Sequence, residues 1–220
     1  VPAPVLPEPV EGLPQPQPVP PPAGASEPPT NSPTNQITNP PTNPPTNQPP
    51  HLLISEVQPG TETGGSEDEF VELYNPTDQP ISLAGFALKK KSSSGSESNL
   101  VSSGAFAGTV PAHGFFLIAH KNYQGSVAKD LAYSANSNNL AYTSNGVVLY
   151  GPGGALVDYA GWGEIEKGQS YERKAFTNGS CVSAQGSGEL LGNGCDTDSA
   201  GDFEIRPVPQ PQNSQSNTEP

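Results

Sequence analysis

Two groups of acidic residues have the types and spacing to do chemistry. Glu56, Glu67, Asp68, Glu69 and Glu72 lie close together, and Asp196, Asp198 and Asp202 form a second acidic stretch. Three carboxylates on a loop can hold calcium, a hard cation that takes about six to eight oxygen ligands. Asp196-x-Asp198-x-x-Gly201-Asp202 matches half of such a loop, but it departs from the EF-hand pattern at Ala200 and lacks the distal Glu. The favoured reading is a solvated acidic turn leading into Phe203, with calcium at Asp196, Asp198 and Asp202 as the weaker alternative. Paired-carboxylate hydrolysis needs two acids in a shared cleft, which the acid-rich rim of a sheet protein seldom supplies.

Glu72 lies mid-strand between two aromatics, and Arg173 lies in a late strand-like run. The expectation is a partly buried ion pair between them that ties two strands together, a contact that adds specificity more reliably than stability. Nucleophilic catalysis finds little support. There is no Gly-x-Ser-x-Gly elbow, and His51, His113 and His120 fall at a linker junction, in a turn and after a strand. Gly151-Pro152-Gly153-Gly154 joins two strands rather than opening a helix, so it reads as a turn and not as a phosphate loop. Trp162 and Tyr159, with Tyr133, Tyr142 and Tyr150, can form either a sugar-binding platform or part of a core, and the core is favoured. Asn178-Gly179-Ser180 matches a glycosylation sequon, read as a chance match.

Cys181 and Cys195 are the two cysteines of the chain. They lack the Cys-x-x-Cys spacing and the further ligands that zinc requires. A disulfide is the favoured pairing, worth about 3 kcal/mol in the chain-entropy model, with two free thiols as the alternative. A disulfide implies an oxidising compartment, hence an extracellular or cell-envelope location. The sequence shows no signal peptide or membrane span. It begins at Val1 rather than Met, which points to a processed product or a piece of something longer.

The elements that must position these residues occupy only part of the 220-residue chain. Residues 1–50 carry 19 of the 28 prolines and no aromatic, Lys or Arg. Such a segment cannot bury enough apolar surface to offset its ordering entropy, so it is expected to be a disordered or extended linker. Within it Thr-Asn pairs recur every four residues from Thr30 to Thr46, a Pro-rich repeat suited to polyproline II and to the role of spacer. The net charge of −13 disfavours nucleic acid and anionic lipid as partners, since both are bound through clustered Lys and Arg. Lys89-Lys90-Lys91, the one basic cluster, reads as charge blunting a strand end or hairpin tip, favoured over a binding patch.

From His51 onward short apolar runs alternate with Gly, Pro and Asn turns. The clearest is Glu69-Phe70-Val71-Glu72-Leu73-Tyr74-Asn75-Pro76, a strand with Val71 and Leu73 on one side and Phe70, Glu72 and Tyr74 on the other. Further strands are expected over 52–57, 81–83, 86–90, 106–110, 115–119, 147–150, 155–160, 170–174 and 203–206, with no helix of any length. This pattern predicts an all-β antiparallel sandwich or barrel over residues 51–207, followed by a flexible tail over 208–220.

The ordered set of motifs resembles the lamin-tail domain in its exported bacterial form. The set comprises Ile54-Ser55-Glu56-Val57, Glu69 to Asn75, Leu83-Ala84-Gly85-Phe86-Ala87-Leu88, Val110-Pro111-Ala112-His113-Gly114, Ser170 with Glu172-Arg173, Asp202-Phe203, Pro207, and Pro211-Gln212-Asn213-Ser214. The segment around Cys181 and Cys195 departs from that pattern. The resemblance implies an immunoglobulin-like sandwich with no catalytic activity and no required cofactor. The expected function is an exported, monomeric, non-catalytic module for adhesion, scaffolding or positioning at the cell envelope, with a protein or cell-surface glycan as partner. The alternatives are an accessory domain of an extracellular nuclease or other hydrolase, and a carbohydrate-binding module.

Overall fold

The computed structural model describes residues 51–60, 65–133 and 140–220, all within the unit Asn43–Pro220. The expected linker over 1–50, and residues 61–64 of the acidic loop, lie outside the described residues. Strands β1 (Leu53–Gln58), β2 (Phe70–Tyr74), β7 (Phe115–His120), β8 (Leu131–Tyr133), β11 (Ser170–Arg173) and β14 (Phe203–Arg206) form one sheet in the order β14-β11-β1-β2-β7-β8. A second sheet has the order β10-β9-β4-β5, built from β4 (Ala87–Lys91), β5 (Glu97–Val101), β9 (Thr143–Tyr150) and β10 (Leu156–Glu164). Two short ribbons complete the set: β3 (Ile81–Ser82) with β6 (Thr109–Val110), and β12 (Ala175–Thr177) with β13 (Ser180–Val182). The pairing is antiparallel throughout except for β7 with β8, which run parallel.

The sheets pack face to face around one main core. Val71 and Leu73 of β2, Phe116 and Ile118 of β7, and Ile54 and Val57 of β1 meet Leu88, Val147, Leu149, Ala160 and Trp162 from the opposite sheet. A bulge between Ile54 and Glu56 lets Ile54 and Val57 both face this core while Glu56 turns away from it. On the other face of the six-stranded sheet, Phe70 packs with Leu117, Ala119 and Tyr123, and Tyr74 with Leu53 and Phe115. All five residues of β2 are therefore buried, although the strand alternates between two environments.

The strand pattern departs from expectation in places. β5, β8, β12 and β13 were not expected. They are short, and β5 and β8 are sheet edges where polar residues such as Glu97, Ser98 and Asn99 are tolerated. The strand expected over 106–110 shrinks to Thr109–Val110, because Gly108 adopts φ 122° and Phe106 drops into the core.

The flexible tail expected over 208–220 is corrected. The segment crosses back over the outer face of the six-stranded sheet and is bonded along its length. Gln212 N donates to Glu72 Oε2 at 2.5 Å, Ser214 N to Asp130 Oδ2 at 2.9 Å, and Glu219 N to the His113 carbonyl at 2.7 Å, while Tyr74 Oη donates to the Glu219 carbonyl at 2.7 Å. Composition alone read this segment as unable to pack. It docks because buried carboxylates receive its backbone donors, a partnership that hydrophobicity does not report.

Candidate functional site

The pairing of Glu72 with Arg173 is also corrected. Glu72 stands beside Glu56 and Glu56 beside Glu172 in adjacent strands, so these three share the outer face of the sheet. Arg173 follows Glu172 directly and must point to the opposite face. Its guanidinium is 1% exposed and bridges the two sheets. It donates to both oxygens of Asp158 on β10 (2.8 and 2.6 Å), to the Ile54 carbonyl at 2.8 Å and to the Cys195 carbonyl at 2.6 Å. Asp196 lies 3.7 Å away, and the guanidinium carbon sits 4.4 Å from the centre of the Phe203 ring. Asp158, which also accepts from Ile54 N at 2.6 Å, is the partner that sequence reasoning missed. Its signal was a carboxylate set among Leu156, Val157, Tyr159 and Ala160 in the expected strand 155–160.

Glu72 instead accepts from Ser55 Oγ at 2.6 Å and from Gln212 N. Burial, then the neighbouring Glu56, raises its carboxyl well above the ordinary range. Burial likewise pushes Glu56 to about 7, although bonds from Ser170 and Gln210 pull the other way. Glu69 is separate from this group. Tyr133 Oη and Leu140 N both donate to it, and burial raises it to about 7. Glu67 and Asp68 remain half-buried on the loop before β2.

In the second acidic stretch, read as a solvated turn with calcium as the weaker alternative, the three carboxylates turn to different surroundings. Asp196 turns toward Arg173 and His51, the latter at 3.4 Å, and Asp198 is exposed. Asp202 folds back on its own turn, accepting from Thr197 N at 2.8 Å, Thr197 Oγ1 at 2.5 Å and Ser199 N at 3.1 Å. Burial works against its ionisation, but these bonds outweigh it and hold the carboxyl below the usual range. Among the described residues, the one group of three metal-ligating side chains is Cys181, Cys195 and Asp202, whose sulfurs are joined to each other. That disulfide, with Cα atoms 5.2 Å apart, ties β13 to the chain beside Arg173.

The histidines do not converge. His51 faces Asp196, His113 faces Asp78 at 2.8 Å, and His120 packs edge-on against Tyr133. The aromatics divide between core and surface. Trp162 and Tyr133 are buried, with Trp162 Nε1 donating to the Ala141 carbonyl at 2.9 Å. Tyr159 and Tyr150 lie on the outer face of the four-stranded sheet. Gly161 and Gly146 stand directly opposite each other on β10 and β9, and the Tyr159 ring lies across them. A Cβ at Gly146 would come within 2.7 Å of that ring, and one at Gly161 would meet the phenol itself. The Lys91 ammonium sits 5.2 Å from the centre of the Tyr159 ring, and Lys89 sits 4.6 Å from that of Tyr150 while pairing with Glu97 at 3.2 Å. Lys89 and Lys91 thus organise an aromatic face, on a strand that is paired on both sides by β9 and β5. Tyr159 remains 46% exposed. Beside it is a shallow depression of about 400 Å³ lined by Lys91, Ser92, Ser93, Ser144 and Trp162.

No curated protein matches the chain. The family model described as the lamin tail domain matches residues 45–164, more than half of the 220, from before β1 to the end of β10 and including the tyrosine-bearing face. Two sheets packed as an immunoglobulin-like sandwich agree with that match, and no helix among the described residues is long and apolar enough to cross a membrane. The chain belongs to the lamin tail domain family, whose members are non-catalytic immunoglobulin-like domains.

Proposed function

We propose that the chain is an exported, non-catalytic binding module that holds a cell-surface glycan and so serves adhesion or positioning at the cell envelope. The observation that carries this reading is the Tyr159 ring, which lies across the Gly146–Gly161 pair and remains 46% exposed. Two facing glycines weaken a sheet unless something covers them, and an exposed ring over them offers a flat apolar surface. Ser92, Ser93, Ser144 and Lys91 supply hydroxyl and ammonium groups around it, the mixture of ring face and polar rim that suits a sugar. The disulfide is compatible with an extracellular location.

Co-sedimentation with insoluble chitin and peptidoglycan tests the reading. The wild-type chain is expected to be retained, and Tyr159→Ala to lose roughly tenfold in affinity, the scale of one lost ring contact. Unchanged fluorescence from buried Trp162 would show the variant intact. Equal retention of both proteins, or retention of neither on either glycan, would overturn the assignment and leave a protein as the partner to seek.

A further inference from the structure

On the outer face of the six-stranded sheet, four glutamates stand side by side in register: Glu204 opposite Glu172, Glu172 opposite Glu56, and Glu56 opposite Glu72. Like charges placed directly opposite each other in a sheet repel. The C-terminal segment 207–220 roofs the inner three, which are 7%, 1% and 2% exposed in that order. Among the described residues, the base paired with the row is Arg206, which holds Glu172 at 2.6 Å and Glu189 at 2.5 Å.

The way the roof is fastened matters most. Pro209 and Pro211 have no N–H, so the chain presents donors at Gln210 and Gln212, and these reach Glu56 at 3.3 Å and Glu72 at 2.5 Å on neighbouring strands. The remaining ties are polar as well. Ser214 and Asn213 bond to Asp130 and the Ala128 carbonyl, and Glu219 bonds to Gln212 and Gly192 N. Val208, the one large apolar side chain of the segment, is 69% exposed. Among the described residues the segment's other apolar side chains are prolines, of which Pro209 and Pro211 are half-buried, so its hold rests largely on the state of the carboxylates beneath.

We propose that residues 207–220 form an acid-set strap, docked while the glutamate row is partly protonated and released from the sheet when the row ionises between mildly acidic and mildly alkaline medium. The other titratable groups around the row are Glu219 on the strap, Glu189 beside Arg206, and Asp68, Lys129, Asp130 and the uncharged Tyr123 from the flanking loops. They add more negative than positive charge. Burial raises Glu56 to about 7 and Glu172 to about 8, in each case with neighbouring glutamates adding to the rise, and lifts Glu72 and Glu219 as well. With its carboxyls raised, the docked form binds more protons than the released form. Docking is therefore strongest below the ordinary carboxylate range and weakens as pH climbs through about 8. Release lets water solvate the row, relieving both repulsion and desolvation at the expense of the strap's hydrogen bonds.

Amide hydrogen exchange on the full chain, expressed as protection factors, tests this directly. Between pH 6 and pH 9, protection at Gln210 and Gln212 is expected to fall at least about tenfold, while Val71 and Ile118 in the core keep theirs. In Glu56→Gln combined with Glu72→Gln, two neutral isosteres of the protonated acids, the strap amides are expected to stay protected at both values. Constant protection in the wild type, or loss at the strap and core together, would overturn the proposal. So would an unaltered fall in the double variant. Should that variant not fold, the wild-type contrast between strap and core still decides.

Discussion

Arg173→Met is expected to destabilise the domain by about 3–5 kcal/mol, the usual scale for stripping one partner from a buried ion pair. The substitution leaves Asp158 and Asp196 facing an apolar side chain. It also removes the donors from the Ile54 and Cys195 carbonyls, so four acceptors on three separate segments lose a partner at once. Urea unfolding followed by Trp162 fluorescence measures the loss. The same measurement on Arg173→Met with Asp158→Leu separates two origins for it. If the stranded charge dominates, the double variant recovers a large part of the stability; if geometry across the two sheets dominates, it does not. A single variant within about 0.5 kcal/mol of wild type would show that the bridge between the sheets contributes little.

Opening the Cys181–Cys195 bond, by reduction or by Cys181→Ser with Cys195→Ser, is expected to cost about 2–5 kcal/mol. The bond closes a loop over a sequence separation of 14. That loop has little core of its own, consisting largely of short turns between β13 and Cys195. Its second consequence is local. The Cys195 carbonyl accepts from Arg173 and Cys195 N donates to the Lys174 carbonyl, so loosening the loop also slackens the arginine bridge. Thermal unfolding with and without reductant reads the total. A double-mutant cycle with Arg173→Met is expected to show coupling, because the two sites share Cys195. Strict additivity would mean that the disulfide and the bridge act independently.

Much of the fold was legible from local pattern. Phe203–Arg206 forms the strand expected there, and Val71 and Leu73 face the main core while Phe70 and Tyr74 face away from it. Both follow from the period-two alternation of a strand, which needs no knowledge of neighbours. The edge strands were less legible, because a strand half open to water can carry residues such as Ser98 and Asn99 that signal a loop equally well.

The candidate site was only partly legible. That Cys181 and Cys195 would bond, and that tyrosines would serve either core or surface, could be reasoned from type and spacing. Which tyrosine was which depended on register. Tyr159 is exposed and Tyr133 buried because of the faces their strands present, and Gly146 and Gly161 matter because pairing sets them opposite each other.

The sequence by itself determined the class of fold: short alternating strands, a disulfide, an acidic surface, and the strand from Glu69 to Asn75 that marks the family. Tertiary structure alone decided the partners of the charged residues. Glu72 and Arg173 are opposite in charge, yet register sends one to each face of the same sheet. Glu72 thereby joins a row of like charges beneath the C-terminal segment, and Arg173 reaches across to Asp158. A strand's own pattern fixes which of its residues share a side, but the strand order and register that place charges together are properties of the assembled sheet.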